Sequence, residues 1–112
     1  MEEYRRRLLE VQEGQLVNRD SLAELQQVED RYEDFNRRSG HLFQFLFDVW
    51  KQDGRMRNYF EREQLQLQSE QRRISRELDE RRFELDREKR WLADAEDELT
   101  LLRRSFDQEG DR

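Results

Sequence analysis

The sequence predicts an all-α protein: an antiparallel two-helix hairpin of the coiled-coil type, completed by an oligomeric or heteromeric partner. Three observations favour this fold: a heptad repeat in the second half, the absence of proline, and 45% charged against 33% apolar residues. Proline would interrupt a helix, so a chain without it can form long helices. Paired long helices tolerate few apolar residues because each residue contacts only one or two neighbouring helices. Disorder is the competing class, and twelve aromatic residues argue against it.

The second half of the chain is predicted to be one continuous amphipathic helix from Arg55 to Asp107. Its apolar residues recur at steps of three and four, which places them on one helix face and favours a coiled-coil partner. Ten of the fourteen predicted core residues are apolar. The two core rows are Gln64, Gln71, Leu78, Leu85, Leu92, Leu99 and Phe106, and Phe60, Leu67, Ile74, Arg81, Glu88, Ala95 and Leu102.

The first half repeats the helical pattern less regularly, with an interruption at Gln15 and Asn18. Gly14 weakens this part further, since glycine inside a helix costs about 1 kcal/mol relative to alanine. We therefore expect the first twenty or so residues to fray or to depend on a partner. The predicted buried stripe is Tyr4, Leu8, Val11, Leu22, Leu25, Val28, Tyr32, Phe35, Leu42, Phe43, Leu46, Val49 and Trp50.

Asp53-Gly54 is the predicted turn, because glycine accepts the positive φ that chain reversal often needs. A turn at about residues 52–56 separates helix 1, about residues 3–52, from helix 2, about residues 55–108, within a single domain of residues 1–112. The alternative turn is Ser39-Gly40, which would give two helices of unequal length. We interpret Ser39-Gly40 as a kink or a point of close approach.

No catalytic, cofactor-binding or metal-binding residue is predicted, and we expect the chain not to be an enzyme. It has no cysteine, and His41 is its only histidine, so His41 has no cysteine or second histidine to join it as a metal ligand. The four glycines stand apart and form no phosphate-binding loop. A net charge of −6 argues against nucleic-acid binding. The most apolar run, Leu42 to Trp50, is far shorter than the roughly 20 residues of a membrane span, so we expect no membrane insertion and a cytoplasmic location.

Aromatic residues near the predicted turn are the candidate functional feature. Between Leu42 and Trp50 the helix is apolar on more sides than one partner helix covers. Leu65, Phe83, Trp91 and Leu101 also fall outside the main stripe, and exposed aromatic residues often indicate a binding surface. We predict a protein interface centred on Phe45 and Phe47; the alternative is a local aromatic core that closes the tip. The predicted interface residues are Phe43, Phe45, Phe47, Trp50, Phe83 and Trp91.

The second helix contains Arg76-Glu77-Leu78-Asp79-Glu80-Arg81-Arg82-Phe83-Glu84-Leu85, followed by Arg87-Glu88-Lys89-Arg90-Trp91-Leu92. This stretch resembles small charged helical proteins encoded beside LXG-domain toxins in Gram-positive bacteria. The hairpin is also similar to Esx-like proteins of type VII secretion, although Trp50-Lys51-Gln52-Asp53-Gly54 departs from their Trp-x-Gly turn.

The resemblance implies a non-catalytic adaptor, or targeting chaperone, in the bacterial cytoplasm. It would bind the helical targeting domain of an LXG toxin, together with a second Esx-like protein, and deliver it to the type VIIb export machine. Tyr59 and Glu63 have the spacing of a Tyr-x-x-x-Asp/Glu export motif, but they begin the second helix. We therefore expect the export signal on the partner, with co-export of this chain.

A homodimeric coiled-coil stalk or scaffold, such as a type III or flagellar export stalk, is the alternative function. The heptad repeat fits both functions. A bare stalk does not need the surplus aromatic residues, which favour the adaptor.

Overall fold

The structure is a computed structural model that describes residues 1–110; residues 111–112 of the predicted domain lie outside the described part. It consists of helix α1, Glu2–Trp50, and helix α2, Gly54–Gly110, joined by a turn at residues 51–53. The predicted all-α hairpin is confirmed. Within residues 1–110 neither helix has a stretch apolar enough to cross a membrane.

The turn lies slightly earlier than predicted, because Asp53 begins α2 as its N-cap residue. The Asp53 Oδ1 accepts hydrogen bonds from the backbone N–H groups of Arg55 (3.0 Å) and Met56 (3.2 Å). These are two of the donors that a helix start leaves without a backbone partner. Gly54 is already helical and does not adopt a positive φ, so the turn does not use the conformational freedom on which the prediction rested.

α1 and α2 pair in two compact units. Unit 1 combines Met1–Glu24 with α2 from Arg82 onward, and unit 2 is Leu25–Arg81. Both pairings are antiparallel. In unit 1, Asn18 contacts Leu85 while Tyr4 lies beside the later Leu99, and in unit 2 the chain reverses at the turn.

The seam of unit 1 is formed by apolar residues around one buried polar side chain. Leu85, Leu92 and Leu99 are buried, as is Asn18, at 3% exposure. The Asn18 Nδ2 donates to the Leu85 carbonyl oxygen (2.9 Å) and to the Glu88 Oε1 (3.2 Å). The predicted interruption at this residue is therefore wrong, since Asn18 belongs to the seam. The α1 side of the seam consists of Tyr4, Leu8, Val11, Gln15, Asn18 and Leu22.

Gly14 marks a close approach of the two helices in unit 1. A Cβ atom on Gly14 would lie 3.0 Å from the Leu92 Cδ2, whereas one on Gly40 would meet nothing within 4 Å. The close approach predicted at Gly40 is therefore wrong.

Two predicted core residues of unit 1, Leu102 and Phe106, are exposed, at 46% and 50%.

The seam of unit 2 contains more polar side chains than the sequence predicted. Leu25 is buried. The Tyr32 hydroxyl donates to the Gln71 carbonyl oxygen (2.9 Å), and the Gln71 Nε2 donates to the Asn36 Oδ1 (2.9 Å). On α1 the seam is Leu25, Glu29, Tyr32, Asn36, Ser39, Phe43 and Leu46; on α2 it is Phe60, Leu67, Gln71, Ile74 and Leu78.

Five residues predicted to be in the core of unit 2 are exposed: Val28, Phe35, Leu42, Val49 and Trp50. Burial on α1 follows the strict alternation of three and four residues from Leu25 to Leu46. Val28, Phe35 and Leu42 each lie one residue before a position of this alternation, and Val49 and Trp50 lie beyond its last residue. On α2, the predicted core positions Gln64 and Arg81 in unit 2 and Glu88 in unit 1 are exposed as well.

Candidate protein-interaction surface

The two helices leave most large apolar side chains uncovered. Only Leu25, Leu85, Leu92 and Leu99 are buried apolar residues among those described, against eighteen exposed large apolar ones. The accessible surface is 9741 Å², whereas a compact monomer of 14.1 kDa exposes about 6,700 Å². A monomer therefore keeps in water much of the apolar surface that a stable fold normally buries.

Unit 2 carries an exposed apolar row along one edge of its helix pair. Its members are 49–57% exposed and recur every seven residues, so they line up along a supercoiled helix. At 1.5 Å per residue the row is about 32 Å long. We call it the edge stripe: Val28, Phe35, Leu42 and Val49.

Charged rows border the edge stripe on both sides. Val28, Phe35 and Leu42 each come one residue before a seam residue of α1. On α2, Glu63, Glu70 and Glu77 each come one residue before a member of the heptad row formed by Gln64, Gln71 and Leu78. In an antiparallel pair these two preceding rows lie along the same edge, so the three exposed glutamates flank the stripe on the α2 side. On the α1 side, the next row outward contains Arg31, Arg38 and Phe45.

The structure separates the residues predicted to form the aromatic interface near the turn. Phe45 is 63% exposed beside the edge stripe, while Phe47, 36% exposed, lies about 200° from it around the helix. Phe43 is half-buried in the seam, and Trp50 ends α1 with 40% exposure. Phe45 and Phe47 therefore face different sides of the pair, although each is accessible to a partner.

The other predicted interface residues belong to unit 1. Phe83 and Trp91 are 61% and 67% exposed. Eight residues separate them along α2, which corresponds to about 80° around the helix. A partner lying along α2 can contact both side chains from one side.

The edge stripe is a surface that the sequence pattern does not predict, although all four of its residues are apolar. The pattern predicts that they lie in the seam, because apolar residues at steps of three and four are expected to share one helix face. The strict alternation from Leu25 through Tyr32 to Leu46 would have placed Val28, Phe35 and Leu42 outside the seam.

No group of three or more histidine, cysteine, aspartate or glutamate residues in the described part of the chain is arranged to hold a metal ion. Every buried side-chain nitrogen or oxygen of the described residues has a hydrogen-bond partner. Exposed apolar side chains, with charged side chains beside them, are available for recognition.

A family model described as "Protein of unknown function (DUF3958)" matches residues 1–106. No curated protein matches the chain, and no solved structure matches it. The family match gives no link to Esx-like or LXG-associated proteins.

Proposed function

The chain belongs to the DUF3958 family, and we propose that it is a non-catalytic helical adaptor. It binds the N-terminal helical targeting domain of an LXG toxin and promotes the export of that toxin by a type VII secretion system. The observation that carries the proposal is the set of aromatic side chains that the seams leave in water, above all Phe45, Phe83 and Trp91, each more than 60% exposed.

Exposed aromatic residues suit this role because they supply a large contact area at a small cost in conformational entropy. Aromatic residues dominate the binding energy of many protein interfaces. A long helix that carries them can join a helix of another protein, whose apolar face covers them. The exposed residues lie on different sides of unit 2, as Phe45 and Phe47 do, so that unit has room for more than one partner helix. A second Esx-like protein is accordingly the further partner.

The resemblance to proteins encoded beside LXG toxins is the second support. The matching stretch lies in α2 and contains both Phe83 and Trp91. Residues that carry the resemblance are thus accessible to another protein. On this proposal the complex assembles in the bacterial cytoplasm, and the partner supplies the export signal.

Co-expression with an LXG targeting domain, with and without the second Esx-like protein, tests the proposal. We expect a stable complex with the wild-type chain and a marked loss of co-purified toxin with Phe83→Ser/Trp91→Ser. Leu9→Ser is the matched control, since Leu9 is 58% exposed in the same unit but outside the predicted interface. Circular dichroism should show unchanged helicity in all variants. Failure of the wild-type chain to bind any LXG domain would exclude the function.

A homodimeric stalk or scaffold is the second candidate, favoured by two uninterrupted helices of 49 and 57 residues. A stalk would self-associate without retaining a toxin, so the same co-purification distinguishes the two functions.

A further inference from the structure

We propose that the edge stripe of unit 2 is the contact surface of a parallel homodimer. In this dimer the α1 helices of two copies pack side by side through Val28, Phe35, Leu42 and Val49. The inference goes beyond the adaptor function and depends on unit 2 alone. It rests on the apolar row and on the order of the charges beside it.

The edge of unit 2 is self-complementary in only one orientation. Across this edge the order is a glutamate row on α2, the apolar row on α1, and then an arginine row on α1. Suppose that two copies pack face to face, with the α1 helices of both copies pointing in the same direction. The two copies are then related by a twofold axis parallel to the helices, and the arginine row of each copy lies over the glutamate row of the other. If the helices are antiparallel, glutamates face glutamates and arginines face arginines, which is repulsive.

The charges also match along the helix direction. Gln71 contacts both Tyr32 and Asn36, so its neighbour Glu70 lies level with the middle of the edge stripe. By the heptad repeat on both helices, Glu77, Glu70 and Glu63 lie level with Val28, Phe35 and Leu42.

Arg31 and Arg38 fall between these levels, about 5 Å from each neighbouring glutamate along the helix direction. Arg38 also contacts the Asp34 carboxylate of its own helix at 3.1 Å and remains 80% exposed. Each arginine of one copy is therefore placed between two glutamates of the other.

The contact area indicates that the dimer depends on both the apolar and the charged rows. At roughly half exposure, the four residues of the edge stripe have about 100 Å² each left to bury, or about 400 Å² per copy. Stable complexes commonly bury about 800 Å² per partner. The flanking arginine and glutamate side chains supply the remainder, so the dimer should weaken as salt screens their attraction.

Sedimentation equilibrium of the full chain tests the stoichiometry. We expect a mass of twice 14.1 kDa at micromolar concentration, with dissociation on dilution and in high salt. Leu42→Asp should weaken the dimer by more than about tenfold, because it places a carboxylate in the apolar row. Leu16→Asp should not, since Leu16 is comparably exposed, at 51%, on α1 of unit 1. A monomeric wild-type chain, or a dimer unaffected by Leu42→Asp, would overturn the inference.

Charge reversal and cysteine cross-linking test the orientation. Arg31→Glu/Arg38→Glu should dissociate the dimer, and adding Glu63→Arg/Glu70→Arg/Glu77→Arg should restore it.

The chain has no cysteine, so a cysteine introduced at either end of the edge stripe shows by cross-linking which residue of the second copy lies opposite. The Val28→Cys variant alone and the Val49→Cys variant alone should each form a disulfide-linked dimer. In a parallel dimer each of these residues lies opposite the same residue of the second copy. Cross-linking only in a mixture of the two variants would show an antiparallel dimer and refute the proposal. Toxin binding by a monomeric chain would leave the adaptor function intact.

Discussion

Substitution of Asn18 tests whether unit 1 is stabilised by the hydrogen bonds of the buried Asn18 amide or by the space that this side chain fills in the seam. In Asn18→Ala the side chain loses its bonds to the Leu85 carbonyl oxygen and to the Glu88 carboxylate. Each bond contributes about 1 kcal/mol net, and the missing atoms leave a cavity in the seam. Alanine regains up to about 0.7 kcal/mol in helix propensity. We expect a net loss of about 2 kcal/mol in the free energy of unfolding.

Asn18→Leu should behave differently, because leucine fills the site and buries apolar area. Burial of leucine contributes about 1.5–3 kcal/mol, which approximately offsets the two lost hydrogen bonds. Neither partner is left without a hydrogen bond: the Leu85 carbonyl oxygen keeps its helical N–H donor, and Glu88 is exposed to water. The Leu variant should therefore lie within about 1 kcal/mol of wild type and about 2 kcal/mol above the Ala variant.

Urea denaturation followed by circular dichroism at fixed protein concentration measures both variants. A fixed concentration matters because self-association shifts apparent stability. Equal stability of the Ala variant and wild type, or a Leu variant no more stable than the Ala variant, would refute the account of Asn18 as a well-packed, hydrogen-bonded seam residue.

Four further substitutions test local features by the same urea measurement. Asp53→Ala should cost about 1 kcal/mol by removing the N-cap of α2; no loss would show that the cap is dispensable. Tyr32→Phe should cost about 1 kcal/mol by removing the hydrogen bond to the α2 backbone, and a stabilised variant would contradict that bond. Gly40→Ala should stabilise by about 1 kcal/mol, since its Cβ meets open space. Gly14→Ala should gain less, because its Cβ lies 3.0 Å from Leu92; equal gains would show that Leu92 moves aside freely.

The seam of α2 was largely predictable from sequence, whereas that of α1 was not. In α2, leucines at 78, 85, 92 and 99 coincide with the positions that the structure buries or half-buries. In α1, Glu29, Asn36 and Ser39 occupy seam positions, while apolar residues occupy the row beside them. Sequence periodicity places the apolar row in the core, because it reflects only the hydrophobicity of the side chains. It does not contain the hydrogen bonds that allow polar residues to occupy a seam.

The exposure of most of the candidate site was predictable, but its division into separate faces was not. The density of aromatic residues around Phe45 exceeds what one partner helix covers, and the structure leaves Phe45, Phe47 and Trp50 exposed, while Phe43 is half-buried in the seam. The direction in which each one points depends on the register of α1 against α2. That register is fixed by tertiary contacts such as Asn36 with Gln71, which no local pattern contains.

The placement of polar and apolar residues in unit 2 favours a surface built for association. Asn36 and Gln71 bond to each other in its seam, while Phe35 and Leu42 lie more than half exposed at its edge. A monomer would gain more burial if the apolar row faced α2, but that shift would move the hydrogen-bonded pair out of register. Polar pairs that fix the register leave the apolar row outside, where a second chain could cover it. In the proposed dimer, the same few residues would set both association and helix pairing in unit 2.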